Sequence, residues 1–352
     1  MNDITPALWP HLMLFALVCG ALLVLPFVPA WREWRHPSDS AALKVSPSLT
    51  SDTGFLAQQF RELMQMQLAG GLTQDHQRLG ALDTRAKGPP SERTQRPIVS
   101  TQAIRSLVDT SVQSPLYVTA DVHVAGRARL REVLCVGGLT LGAHSHIGGW
   151  AHADQAVVLG EASVVVRRVS SARSIDLARH CCFERLHAPT LRFGHLPLPG
   201  TKAPVSSQPT WHRLRRIPGA QRWGDGAWRV DGDCDIPAWH HFCGSLVVMG
   251  VLRVGDGALV EGNVKAHQGI HIGPGARVTG AVVCEGGIHL LQDAVVGGPL
   301  VSETHVLLHT RSRVGAPDAP TTVSATHILI DRGVTTHGTV WARDAGVVLG
   351  LT

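Results

Sequence analysis

Histidine and cysteine are the residues of this chain that most invite a chemical reading, with 20 of the first and seven of the second in 352 residues. His144 and His146 stand two apart, which on a strand means one face. His271 and His289 stand eighteen apart, and His240 and His241 lie between Cys234 and Cys243. Imidazole and thiolate hold zinc when three or four of them converge on a tetrahedron. Asp231, Asp233 and Asp235 form an acidic turn (VDGDCD) that lacks the remaining positions of a calcium loop. Ser145, Ser163 and Cys181 are potential nucleophiles, again eighteen apart. No phosphate-binding loop, dinucleotide fingerprint or nucleophile elbow accompanies them.

The recurring interval comes from the elements that must carry these residues. From Cys234 the chain repeats every eighteen positions. One column holds Leu252, Ile270, Ile288, Val306 and Ile328; another holds Val254, Ile272, Leu290, Leu308 and Ile330. Within a block, apolar residues come in pairs two apart, and successive pairs start six apart. Two apart is one face of a strand; six apart is a path that has turned a corner and points inward again. Three short strands per eighteen residues make a triangular coil, and coils bury their inner faces only by stacking. The expected fold is all-β, a β-helix (solenoid) of 18-residue coils. The glycine column Gly262, Gly280, Gly298 and Gly338 is expected at corners of positive φ. A weaker copy of the repeat covers 139–192, with Leu141, Leu159 and Leu177 in one column and Ile147, Val165 and Phe183 in another; Val122–Gly138 fits a coil one residue short.

On this scaffold most histidines occupy phases between the apolar columns and face solvent as a surface ladder, while Ser145, Ser163 and Cys181 pack inward. No catalytic residue, cofactor or metal is therefore expected. The Pro-, Arg- and Trp-rich stretch 194–225 breaks the period and reads as an inserted loop between a diverged solenoid block at 115–193 and the clear one at 226–352.

Ahead of the solenoid, the apolar stretch 7–30 contains Leu12–Val28 without a charge, long enough to cross a bilayer as a helix. Trp9, Trp31 and Trp34 flank it at headgroup level, and Pro26 and Pro29 are expected to close it. Arg32, Arg35 and Lys44 follow the span, and no basic residue precedes it, so the positive-inside rule puts the bulk of the chain in the cytoplasm. Residues 31–114 read as a stalk, with an amphipathic helix over 52–68 and a Pro-rich linker over 84–97. The odd cysteine count, without a CxxC pair, suits reduced thiols. The charge of +5 comes without a zinc framework, RNA-binding signature or basic helix, so nucleic acid is not an expected partner.

The string GALVEGNVKAHQGIHIGPGARVTGAVV resembles the bactofilin pattern at Val260, Gly262, Val264 and Ala266, then Ile270, Ile272, Gly273, Ala276, Val278, Gly280 and Val282. The resemblance covers about 234–352. It implies a right-handed β-helix that polymerises end to end without nucleotide and serves as a membrane-bound scaffold for envelope or polysaccharide enzymes. The expected protein is thus a single-pass bacterial inner-membrane scaffold, N-out and C-in, whose partners are itself and envelope-assembly proteins. The rival readings are a left-handed hexapeptide-type solenoid acyltransferase and a non-polymerising adaptor of an envelope or secretion complex. The stack is expected to end in an open edge at Val347, Val348, Leu349 and Leu351, offered to another chain.

Overall fold

The computed structural model describes residues 9–35, 54–69, 77–78, 97–106, 109, 111–194, 211–214, 216–223 and 227–350. It divides into two compact units, Met1–Asp52 and Thr53–Thr352.

In the first unit the uncharged run forms helix α1 (Trp9–Val24) and continues through a 3-10 turn, Leu25–Phe27, into α2 (Val28–Arg35). The span Trp9–Phe27 has a mean hydropathy of 2.1 and no buried residue, so it is long and apolar enough to cross a membrane. The prolines do not close the helix as expected. Pro26 tightens it into the 3-10 turn, and Pro29 falls in the first turn of α2, where a missing N–H breaks no helical bond. Arg35 lies over the Trp31 ring, 4.5 Å from its centroid.

The second unit is a β-solenoid of about thirteen turns. Its columns are those of the sequence repeat. Leu252, Ile270, Ile288, Val306 and Ile328 stand in parallel register, as do Val254, Ile272, Leu290, Leu308, Ile330 and Val348. The diverged copy obeys the same rule: Leu141 pairs with Leu159 and Leu159 with Leu177, and the short coil gives the seventeen-residue register Val122–Leu139. Inward residues of both blocks form one hydrophobic core from Ile104 to Val348. Each fully buried Val, Leu or Ile contributes about 1.5–3 kcal/mol, and no coil could hold that face out of water alone.

Two expectations are corrected. The solenoid reaches back ahead of residue 114: Ile98–Ser100, Ile104–Ser106 and Ser111–Val112 form a coil whose Ile98, Ile104 and Val112 pair with Leu116, Val122 and Leu130, and Gln77–Arg78 pairs in parallel onto Ile98–Val99. The amphipathic helix, α3 (Phe55–Ala69), is present and packs on its own unit. Ala57 and Met64 are buried against Val99, Tyr117 and Leu134, an outward column of the first block, and Phe60 meets the rings of Tyr117 and Trp150 edge-on at 6.5 and 5.5 Å. The stretch 194–225 is not all loop. His212–Arg213 pairs with His240–His241, and Ala220–Trp223 forms a hairpin with Ala227–Val230, while Ile217 is buried and Leu214 packs on the core. These residues cover the start of the second block.

The two blocks meet tail to tail. The strand Cys182–Phe193, in the final turn of the first block, runs antiparallel to Thr335–Val348, which closes the second. Every other pairing between coils is parallel among the described residues. Gly194 therefore lies at this junction and Trp211 at the opposite end of the second block; the residues between them lie outside the described residues.

Candidate functional site

The junction occupies the edge that was expected to be open. Val347 pairs with Cys182, the Val348 N–H donates to the Cys181 carbonyl at 2.9 Å, and the His180 N–H donates to the Val348 carbonyl at 2.8 Å. Val348 is fully buried, and the Leu349 N–H donates to the Ile330 carbonyl at 2.7 Å. Leu351 lies outside the described residues. The reason for the correction is simple: an unpaired ladder edge and an apolar coil end demand a partner, and this chain supplies its own. Leu186 faces Val340, and the Phe183 and Phe193 rings lie 6.0 Å apart beneath them. On the outer face Arg185 lies over the Trp341 ring at 5.2 Å, and His187 shares a 2.9 Å hydrogen bond with the Thr339 hydroxyl.

The histidine ladder is also present, and longer than the pair first singled out. His271, His289 and His305 stack on successive coils, with ring centroids 4.7 and 5.5 Å apart, and the Nε2 atoms of His289 and His305 are 3.4 Å apart. Burial, and then the neighbouring rings of His271, His305 and His309, hold His289 below the usual imidazole pKa. His144 and His146 do not share a strand face, because His144 sits at a corner with φ of +57° and only His146 lies on a strand.

The polar candidates separate according to face. Ser145 and Ser163 are buried, and each hydroxyl donates to the Gly142 carbonyl, at 2.7 and 3.4 Å. Cys181 is buried below them, its thiol donating to the Gly160 carbonyl and pushed up to about 11 by burial first. An inward, protonated column of this kind packs coils. The acidic turn is spread over surface partners instead of a cage. Asp231 pairs with Arg229 at 2.7 Å, Asp233 accepts from the Val251 N–H at 2.9 Å, and Asp235 lies 3.6 Å from Arg253.

One constellation does converge. His241 Nε2, Cys243 Sγ and Glu261 Oε2 are mutually 3.2, 3.4 and 3.0 Å apart. His241 and Cys243 stand two apart on the strand His240–Cys243 and share its outer face, while the ladder register puts Glu261 opposite Cys243 on the next coil. Cys234, the other cysteine of this group, points into the core and is pushed up to about 11 by burial. His240 bonds the Ala238 carbonyl, away from the triad. Glu261 was left out of the sequence reading, although it stands one repeat after Cys243 and the period alone locates it. In the triad, contact with the coil surface and then the Glu261 carboxylate raise the Cys243 thiol, whereas the bonds from Cys243 and His241 hold the Glu261 carboxyl low.

No protein-family model, curated protein or solved structure matches this chain.

Proposed function

We propose that this chain is a membrane-anchored, non-catalytic scaffold of the bactofilin-like kind. Its solenoid stands in the cytoplasm behind α1 and offers its faces to further copies of itself and to proteins of an envelope or polysaccharide assembly. The observation that carries this reading is the tail-to-tail pairing of Cys182–Phe193 with Thr335–Val348. Coil ends of this fold join by continuing the backbone ladder, a mode of association that needs neither nucleotide nor cofactor. The same pairing favours a second reading, the non-polymerising adaptor, because it consumes within one chain two of the edges that filament growth would use.

Sedimentation and negative-stain microscopy of the detergent-extracted chain separate these readings. Filaments or discrete oligomers support the self-associating scaffold. Monomers at all concentrations leave the adaptor. Sidedness is tested by fusion after Thr352: a fluorescent protein there should fluoresce and alkaline phosphatase should be inactive, since Arg32, Arg35 and Lys44 follow the apolar span. High phosphatase activity would reverse the orientation.

A further inference from the structure

We propose that His241 Nε2, Cys243 Sγ and a Glu261 carboxylate oxygen bind one Zn²⁺ ion, which clasps the first two coils of the second block together. Donors at about 2.0–2.3 Å from a tetrahedral zinc lie roughly 3.3–3.5 Å from one another. The three atoms here are separated by 3.0 to 3.4 Å, so the triangle has to open by only a few tenths of an ångström to accept the ion.

All three residues sit on regular strands of the ladder, which fixes their spacing before any ion arrives. The imidazole is held from outside as well. The Trp211 ring packs against His241 with centroids 6.4 Å apart, and its indole N–H donates to the Gly257 carbonyl at 2.8 Å, anchoring that ring to the coil. A mixed nitrogen, sulfur and oxygen set suits zinc, whereas calcium and magnesium take oxygen ligands. One thiolate and one carboxylate neutralise the dication, which matters because Arg213, in register with His241, brings a positive charge to the same face. Cys243 and Glu261 are exposed, so the fourth position opens to solvent and takes water.

Without the ion the same atoms satisfy one another: the Cys243 thiol donates to Glu261, which also lies beside the His241 ring. Zinc binding breaks the S–H bond, forms a Zn–S bond and releases one proton to the buffer, with no change of oxidation state. Affinity therefore rises with pH.

The test uses the full chain in detergent, stripped with a chelator and titrated with Co²⁺ as a spectroscopic stand-in, followed by Zn²⁺. Binding of one Co²⁺ per chain should give a thiolate-to-cobalt charge-transfer band, which Zn²⁺ then abolishes by displacement. Cys243→Ser, which can still donate to Glu261, should lose the band while the β-type circular dichroism is unchanged. Glu261→Gln should weaken binding and reduce the rise in melting temperature on adding Zn²⁺. Absence of the band in the native chain overturns the site and leaves the triad as a hydrogen-bonded contact between coils. A band that survives Cys243→Ser overturns it too, by placing the ion on another cysteine such as the half-buried Cys182.

Discussion

Single residues of this solenoid reveal where repetition strains the chain. One corner of each second-block coil has left-handed backbone, and it falls on Trp239, Gly257, Gly275, Asp293, Arg311 and Gly333, with φ between +58° and +74°. Half of these are not glycine, and the glycine column read from the sequence lies elsewhere. A β-carbon in that conformation costs about 1–2 kcal/mol, so glycine was a poor guide to this corner. At the equivalent corner of the first block stands Ala162, with φ of +55°. Ala162→Gly should therefore be neutral or stabilising by up to about 1 kcal/mol in chemical denaturation, because relief of the strain offsets the extra freedom of the unfolded chain. The stacked histidines make a second residue-scale prediction. His289 is held below its unfolded pKa of about 6.5. The unfolded chain then binds the proton more readily, so stability is lost as pH falls through 6.5 toward the folded value and is unaffected above it. Melting temperatures between pH 7.5 and about 5 should fall, and His289→Gln should flatten that fall.

The strands and helices were legible to different degrees. An eighteen-residue column is visible in sequence because coil register and sequence period are the same quantity, so Val254 through Ile330 could be stacked on paper. The first coil was hidden: Ile98, Ile104 and Val112 lie in the stretch read as stalk, just past the Pro-rich linker, with no glycine to mark its corners. The α3 helix was legible, but its seat was not, since Val99, Tyr117 and Leu134 belong to an outward column that the inward pattern ignores. Of the glycine column, Gly262 and Gly338 have the expected positive φ, at +153° and +108°, whereas Gly280 and Gly298 answer to a different constraint. Gly280 lacks positive φ, yet a β-carbon there would stand 2.5 Å from the Gly262 carbonyl oxygen. Because the obstacle is backbone of the neighbouring coil, Gly280→Ala must push coils apart, and we expect a loss of about 1–3 kcal/mol. Unchanged stability would show that the coils can part there at no cost.

For the whole second unit, the junction left no periodic trace, because antiparallel partners such as Cys182 and Val347 are joined by register in space and by nothing repeated in sequence. The triad was within reach, one repeat below Cys243, but reading a single coil at a time could not reveal it. The junction also governs how the unit holds together. Leu186 and Val340 face each other across it and are fully buried. Leu186→Asp sets an unpaired carboxylate there, at a cost of several kcal/mol. The blocks should then separate and expose both edge strands. Sedimentation should show concentration-dependent association in this variant beyond that of the native chain. Identical sedimentation of the two proteins would mean that the blocks stay together without Leu186.

The antiparallel junction has a consequence in time. On the ribosome, strand Cys182–Phe193 is complete about 140 residues before its partner strand begins at Thr335. At roughly 5–20 residues per second, that leaves an unpaired edge waiting for about 10–30 s. Chains translated side by side from one message would present the same edge to each other's finished Thr335–Val348 strand, in the register each would use for its own. A swapped pair formed this way would contain every native hydrogen bond of the junction. The partition between closed monomers and swapped dimers is then set by the density of ribosomes on the message, as well as by the stability of the fold.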